Sequence, residues 1–425
     1  MSSTLDRPVP APASAPASGP AYGPVRARSV PVADPGDLLA RLPRRGGLAW
    51  LRNGDGLVGW GEAARLEVTG PARFEAAARW WADLSTAMHV DDVVGVPGSG
   101  PVAFASFTFA DGPTTSVVVV PRVVIGRRDG AAWVTTLDDA TTDADVEPVE
   151  PVGDVAWSDG KVGAAEFEAA VSRAVALIRG GSLDKVVLAR DLVARARHNV
   201  DVRALLTPLA ASYPHCWTFA VDGLVGATPE LLVRRTDDHL VSRVLAGTIE
   251  RGADAVTDAQ HAAELLGSPK DRSEHAMAVQ SVVEALGPYC SDLVVPRAPE
   301  IVRLANVQHL QTDVTGRLNN GETALDLAAA LHPTAAVCGT PTAAARDLIA
   351  SLEGLDRGRY AGPVGWVDAR GDGAFGIALR CAAVAGPELR LFAGAGIVAG
   401  SVPANELAET QQKFVAMRDA LEGPA

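Results

Sequence analysis

Acidic side chains on two predicted helices have the types and spacing of a divalent-cation site. On the last helix, Glu406, Glu409 and Lys413 lie at i, i+3 and i+7, so they share one face. Two carboxylates three residues apart repel each other, and a cation or a proton relieves that repulsion. A second helix, beginning at Ser268, carries Glu274, and oxygen ligands from two helices suit Mg²⁺ better than zinc. Taken alone, the acidic face of the last helix is better explained as a solvated face with favourable charge near a helix N-terminus.

A lysine and a glutamate beside apolar runs are candidates for acid–base chemistry. Lys185 lies in the strand pattern LDKVVLAR, where alternation places it on one face with Val187 and Ala189. If that face is buried, the low dielectric lowers the pKa of the amine toward the range of a general base. An edge-strand lysine that prevents aggregation is the alternative. Glu230, in GATPELLV, precedes an apolar run and by itself points to no function.

The elements that would position these residues are strands and helices in an α+β pattern. Residues 36–150 are predicted to form strands, with an amphipathic helix at FEAAARWWADLSTAM. The acidic, turn-rich segment 135–154 is predicted to be a surface connection between two halves. We expect one catalytic body over 33–425, with halves at 33–155 and 156–425. A Pro/Ala-rich segment, residues 1–32, is predicted to be a disordered lead-in.

Charge and cysteine content limit the possible partners and compartment. The 425 residues carry 38 basic and 51 acidic side chains, a net charge of −13, which opposes binding to nucleic acid. An anionic substrate would therefore need local positive charge or a bound cation. Four cysteines far apart, without a CxxC pair, exclude a zinc ribbon and a disulfide scaffold and predict a reducing cytoplasm. No apolar run reaches the roughly 18 residues of a membrane span, so no membrane association is expected.

A glycine-rich segment, LRLFAGAGIVAG, follows a predicted strand near the C-terminus. A dinucleotide-binding loop would need a further strand–helix–strand unit, and too little chain follows Gly400 for one. A glycine turn whose backbone N–H groups approach a carboxylate closely stays open as an interpretation.

Nine segments resemble, in order, the motifs of the chorismate-utilising enzymes, and most closely those of isochorismate synthase. They span residues 160–420 and read LDKVVLAR, GATPELLVRR, RVLAGTIERG, SPKDRSEH, LHPTAAVCGTP, DRGRYAGPVGW, GIALRCA, AGAGIVAGSVP and NELAET. The resemblance implies an α+β fold with two large antiparallel β-sheets stacked as a central sandwich. Helices would lie outside and the site in a cleft beside the sandwich. It also implies a Mg²⁺-dependent conversion of chorismate to isochorismate.

The resemblance assigns a role to each candidate residue. Lys185 would be the general base that deprotonates water for attack on ring carbon C2, and Glu230 the general acid that protonates the leaving C4 hydroxyl. Glu274 and Glu409 would bind Mg²⁺, with Glu406 beside them. The residues expected to bind substrate or line its pocket are Thr248, His332, Tyr360, Arg380, Gly394 and Lys413.

Related activities are separated by few positions. The ammonia-dependent, anthranilate-like branch has glutamine at the position of Lys185, and aminodeoxychorismate synthase has a nucleophilic lysine at that of Ala246. Salicylate synthase, which goes on to eliminate pyruvate, differs in the segment 331–341. Ile249 and Glu250 depart from a more basic stretch in the family. These comparisons favour isochorismate synthase, serving menaquinone or siderophore biosynthesis.

Salicylate synthase is the second interpretation, and a non-catalytic chorismate sensor is a third. The sensor is disfavoured because Lys185, Glu230, Glu274 and Glu409 are all present. No glutamine amidotransferase partner is expected. The protein is predicted to be a monomer or a weak homodimer.

Overall fold

Runs of β-branched and small residues form long, mostly antiparallel strands. The structure, a computed structural model, describes residues 25–142 and 147–423. In the N-terminal half the strands are β1 (Arg26–Pro31), β2 (Leu48–Arg52), β3 (Asp55–Val68), β4 (His89–Asp92), β5 (Val102–Ser106), β6 (Ser116–Arg128) and β7 (Ala131–Leu137). In the C-terminal half they are β8 (Val155–Asp159), β9 (Lys185–Ala196), β10 (Trp217–Val221), β11 (Leu224–Thr228), β12 (Leu231–Thr236), β13 (His239–Glu250), β14 (Glu300–Arg303), β15 (Val307–Arg317), β16 (Gly339–Thr340), β17 (Pro363–Asp368), β18 (Gly373–Ile377), β19 (Cys381–Ala385) and β20 (Glu388–Ile397).

Helices pack against this sheet. They are α1 (Arg73–Thr86), α2 (Ala164–Arg179), α3 (Arg203–Ser212), α4 (Ala255–Gly267), α5 (Pro269–Leu286), α6 (Ala324–Leu331), α7 (Thr342–Leu352) and α8 (Pro403–Glu422). None of the helices in the described ranges is long and apolar enough to cross a membrane.

The predicted α+β class with antiparallel strands is confirmed, with one difference in its hydrogen bonding. The ladders join the described strands into one continuous twenty-stranded network instead of two separate sheets. Long strands make this possible because they bend at β-bulges and pair along most of their length. β3 has such an irregularity between Glu62 and Ala64, opposite Pro121 of β6, and β13 has one between Ala246 and Thr248.

Two strand pairs and two helices position the residues predicted to be functional. β20 runs antiparallel to β9, with Gly396 opposite Val187, and β13 pairs with β15 along its whole length. α5 packs against β13, and α8 packs against β20. As the sequence predicted, α5 begins at a Ser268 cap, whose hydroxyl accepts a hydrogen bond from the backbone N–H of Asp271.

The N-terminal boundary needs a correction. The predicted disordered segment 1–32 falls largely on residues 1–24, which lie outside the described residues. For the last part of the segment the prediction of disorder was wrong. Arg26–Pro31 forms β1, which pairs parallel with β4 and antiparallel with β7. The Pro/Ala composition concealed an alternating pattern in which Ala27 and Ser29 are fully buried. The predicted connection 135–154 likewise starts too early, because β7 continues to Leu137.

Candidate active site

One cleft collects most of the residues singled out from the sequence. A cleft of about 80 Å³, measured as the space open to the centre of a water molecule, is lined by Glu230, Thr248, Glu274, Tyr360, Arg380, Gly394, Glu409 and Lys413, together with Val187, Leu245, Ala246, Gly247, His309, Ala336 and Gly396. A larger cavity is lined by aromatic and basic residues, among them Trp50, Trp217, Trp366, Arg52 and Arg128, and contains none of the predicted residues. The smaller cleft is the candidate site because titratable groups from distant parts of the chain converge there.

Lys185 lies at the edge of this cleft as one half of a buried ion pair. It is the first residue of β9 and only 1% exposed. Its ammonium donates a hydrogen bond to Oε1 of Glu274, which comes from α5, at 2.8 Å. Alternation along β9 also puts Val187 on the cleft wall, as predicted. Lys185 is therefore buried and paired, which disfavours the alternative of an exposed edge-strand lysine, whereas its catalytic role stays a prediction.

Gly396 of β20 leaves the space that this ion pair occupies. A Cβ atom at this position would lie 2.9 Å from Oε1 of Glu274 and 3.0 Å from Cε of Lys185. Any larger residue would push one of the two charged side chains away from the other. Glycine at this position is thus required for packing at the site. The interpretation that backbone N–H groups of this segment approach a carboxylate stays a prediction.

A second lysine–glutamate pair lies on α8. Nζ of Lys413 donates hydrogen bonds to Oε1 of Glu409 at 2.5 Å and to the backbone carbonyl of Gly394 at 2.8 Å. Burial opposes ionisation of Glu409, but the charge and hydrogen bond of Lys413 outweigh it, so the pKa of Glu409 lies below its usual range. Lys413 thereby ties α8 to β20 across the floor of the cleft.

Glu230 is the acidic group with the most altered ionisation in the cleft. It lies between β11 and β12 and is 6% exposed. Burial raises the pKa of Glu230 to about 8, against the opposing charges of Lys185 and Arg380. At neutral pH this carboxyl therefore carries a proton that it can donate.

Arg380 and Tyr360 supply polar groups on another wall. Arg380 directly precedes β19. Its backbone φ is 48°, in the left-handed region that residues other than glycine rarely adopt. Such strained positions are found where the surrounding structure fixes a side chain for function. Tyr360 is stacked on Phe392, with ring centroids 5.1 Å apart. Its hydroxyl lies 3.1 Å from where a Cβ of Gly394 would be, so the glycine permits their close approach.

The sequence analysis missed His309, which lines the cleft from β15. Nδ1 of His309 lies 3.0 Å from the hydroxyl of Thr248, and its Nε2 is buried without a hydrogen-bond partner in the described structure. Burial lowers the pKa of His309 to about 3, so the ring is neutral. A lone histidine in a strand pattern gives no signal by itself, and only the pairing of β13 with β15 brings it to Thr248.

The structure places two predicted residues outside the cleft. His332 does not line it: Nε2 lies 2.9 Å from the backbone carbonyl of Phe109, and the ring packs against Phe74 and Phe109. The expectation that His332 lines the substrate pocket was wrong. The chain turns away from the cleft at the end of α6 and buries the His332 ring in an aromatic cluster. Glu406 is 4% exposed and is not among the lining residues, and its burial raises its pKa.

The carboxylates of the cleft can be tested against the metal that the family implies. Across the part of the chain that the structure describes, no three His, Cys, Asp or Glu side chains come close enough to hold a metal ion alone. Glu274 and Glu409 nevertheless line the same cleft. Mg²⁺ is commonly held by one or two carboxylates, with water and substrate oxygens completing its shell. The donor set therefore fits Mg²⁺ together with an oxygen-rich substrate, and not an all-protein metal cage.

The C-terminal half of the chain matches a known protein family. The family described as "Chorismate binding enzyme" matches residues 154–422, more than half of the chain. The chain is 44% identical over 268 residues to the isochorismate synthase DhbC of Bacillus subtilis, covering 60% of this chain and 67% of that protein. It is 43% identical over 278 residues to the salicylate biosynthesis isochorismate synthase of Pseudomonas aeruginosa, covering 64% and 58% of the two chains.

The fold is also similar to solved structures. The menaquinone-specific isochorismate synthase MenF of Escherichia coli superposes with a TM-score of 0.78 at 26% sequence identity. The match covers 94% of this chain and 95% of that one, so it includes the N-terminal half that the family match leaves out.

Proposed function

This chain belongs to the family of chorismate-binding enzymes, and on that premise we propose that it is a Mg²⁺-dependent isochorismate synthase. The reaction is an isomerisation in which the hydroxyl at C4 of chorismate leaves and a hydroxyl from water is added at C2. The observation that carries the proposal is the convergence, in one cleft, of a buried amine and a protonated carboxylic acid with two further carboxylates. The product would serve menaquinone or siderophore biosynthesis.

Glu230 is suited to the acid half of the reaction. A pKa near 8 keeps its proton in place at neutral pH, and the leaving hydroxyl departs as water once it accepts that proton. Lys185 would take one proton from the attacking water, so one proton is gained by the lysine and one lost by the glutamate in each turnover. Exchange with solvent restores both groups before the next turnover.

Positive charge on the cleft wall would favour binding of a dianion despite the acidic protein. Arg380 and Lys413 line the cleft, Glu230 is uncharged at neutral pH, and a bound Mg²⁺ would offset Glu274 and Glu409. A planar guanidinium can bind a carboxylate through two parallel hydrogen bonds, which is the role we propose for Arg380. Tyr360 and the backbone at Gly394 lie on the same wall and would receive the second carboxylate.

Glu274 and Glu409 are the residues that would hold Mg²⁺. The cation held by these residues would supply positive charge that offsets the substrate's carboxylates. Until then Lys185 and Lys413 neutralise the two glutamates by direct hydrogen bonds. Glu406 is not among the residues that line the cleft, so we do not include it in this shell.

The experiment that tests the proposal is product analysis. Purified protein is incubated with chorismate and Mg²⁺, and the products are separated by chromatography. The proposal expects isochorismate to accumulate without pyruvate. Salicylate with an equal amount of pyruvate would identify a salicylate synthase, and an amino product formed only with ammonia would identify the anthranilate-like activity. Binding of chorismate without any turnover would favour a sensor.

The cellular compartment and the oligomeric state of the protein are also proposals. All four cysteines fall within the described ranges and none is paired, which supports the proposal that the enzyme works in a reducing cytoplasm. A monomer or weak homodimer without an amidotransferase subunit stays our expectation.

A further inference from the structure

A small internal cavity lies directly behind the candidate active site. Glu230 and Ala336 line both the cleft and this cavity, so they form the wall between the two. The other lining residues are Leu231, Leu232, Ser242, Arg243, Val244, Ala278, Val282, Thr334 and Ile377, most of them buried. Its volume of about 10 Å³ corresponds to the space that the centre of one water molecule needs.

One polar atom at this cavity has no partner in the described structure. The hydroxyl of Thr334 is buried and makes no hydrogen bond, although the backbone carbonyl of the same residue accepts bonds from Val337 and Cys338. Buried hydroxyl groups are nearly always hydrogen-bonded, either to protein or to an ordered water. An unpartnered hydroxyl facing a cavity of this size therefore indicates a water site.

The polar groups around the cavity match the needs of a single water. Buried waters make two to four hydrogen bonds, and this cavity offers the hydroxyls of Thr334 and Ser242 as well as Glu230. The remaining wall is mostly aliphatic, and the guanidinium of Arg243 is already hydrogen-bonded to Asp313. Ser242 is 1% exposed, so a water bound there would be sealed from bulk solvent.

We propose that this cavity holds one water molecule that bridges the hydroxyls of Thr334 and Ser242 to the carboxyl of Glu230, and that Thr334 is thereby a positioning residue. The second part rests on the proposed function, because it gives Glu230 the role of general acid. A carboxyl group held by a water on its buried side cannot rotate freely, and its proton keeps a fixed direction toward the cleft. Thr334 acts only through this water and touches no substrate.

The first test is crystallographic and does not depend on activity. A high-resolution crystal structure of the protein is expected to show electron density for one water within hydrogen-bond distance of Oγ1 of Thr334 and of Glu230. In Thr334→Val, which keeps the shape of the side chain but removes the hydroxyl, this density is expected to disappear. An empty cavity in the unmodified protein would overturn the proposal.

The second test is kinetic. Thr334→Val is expected to lower kcat about tenfold with KM changed less than about twofold, the effect of losing one hydrogen bond. Thr334→Ser keeps the hydroxyl and is expected to retain most of the activity. A Thr334→Val/Ser242→Ala double variant is expected to lose less than the product of the two single effects, because both residues hold the same water. Equal losses in the valine and serine variants would refute the positioning role.

A matched control separates this effect from the general loss of a buried hydroxyl. The hydroxyl of Ser106, on β5, is also buried without a partner but does not line the cavity. Ser106→Ala is expected to keep the full kcat. If the unmodified protein makes no isochorismate, the proposed function fails, whereas the crystallographic result still decides whether the water is present.

Discussion

The ammonium nitrogen of Lys185 lies 2.8 Å from Oε1 of Glu274, and the two side chains are only 1% and 17% exposed. The proposed base and a proposed metal ligand therefore neutralise each other in this structure. A cation bound to Oε1 of Glu274 would compete with Lys185 for this oxygen. The availability of the amine and the occupancy of the cation site are thus linked through one hydrogen bond.

Replacing Lys185 by glutamine should remove turnover while leaving the fold intact. A positioned general base contributes about 10²–10⁴-fold to the rate, so kcat for isochorismate formation should fall by that factor. Chromatographic rate measurements check this result, and circular dichroism confirms the fold. Lys161 is exposed, and Lys161→Gln serves as the matched control that keeps normal activity. More than a tenth of the activity remaining in Lys185→Gln would contradict the assignment.

The rate of the reaction should fall at alkaline pH because Glu230 must be protonated to act as an acid. Its pKa of about 8 means that the protonated form predominates below pH 8 and declines above it. We expect kcat/KM to fall about tenfold per pH unit on the alkaline side. Glu230→Gln keeps the shape but has no acidic proton. Its residual activity, lower by about 10²–10⁴-fold, should lack this alkaline limb, and an identical pH profile in both proteins would refute the role of Glu230.

The same carboxyl should make folding stability depend on pH. Its ordinary pKa is 4.5 and its folded pKa is about 8, so its contribution to stability is fully present below pH 4.5 and is lost as the pH rises through 8. Glu230→Gln does not titrate. Relative to that variant, the free energy of unfolding of the unmodified protein should therefore fall by a few kcal/mol between pH 5 and pH 9. Urea denaturation at both pH values measures this difference, and a constant difference would contradict the shift.

Removal of the cation should abolish turnover, and the two glutamates of the cleft should set the affinity for it. We expect EDTA to stop isochorismate formation and added Mg²⁺ to restore it. Glu274→Gln and Glu409→Gln should each weaken Mg²⁺ binding at least about tenfold in calorimetric titrations with substrate present. Glu406→Gln, on the same helix but outside the cleft, should have a smaller effect, and the exposed Glu264→Gln none. Equal weakening in all four variants would refute the assignment.

Arg380 should determine substrate binding more than the rate of the chemical step. Arg380→Lys keeps the positive charge but loses the paired hydrogen bonds of a guanidinium, so KM for chorismate should rise about tenfold to a hundredfold. The exposed Arg79→Lys is the control, since Arg79 makes only a surface ion pair with Glu75. Initial rates over a range of chorismate concentrations separate KM from kcat. A change confined to kcat would argue against contact with a substrate carboxylate.

Local patterns in the sequence were sufficient for the elements that carry the site. The cap at Ser268 fixed the start of α5, and the spacing of Glu409 and Lys413 put both on one face of α8. Strand alternation placed Lys185 and Val187 on one face of β9, but residues 185–191 are buried on both faces, so the burial itself came from the tertiary structure. These features depend on neighbours a few residues apart, and helix and strand geometry translates such spacing directly into a shared face.

Only the tertiary structure decided which side chains meet. Lys185 and Glu274 are 89 residues apart, and their contact depends on the packing of α5 against β13 and on the absence of a Cβ at Gly396. The pairing of β13 with β15 brought His309 to Thr248, whereas the turn after α6 took His332 into an aromatic cluster. No local pattern distinguishes these two histidines, because the burial and the partners of a side chain are set by long-range packing that a single stretch of sequence does not encode.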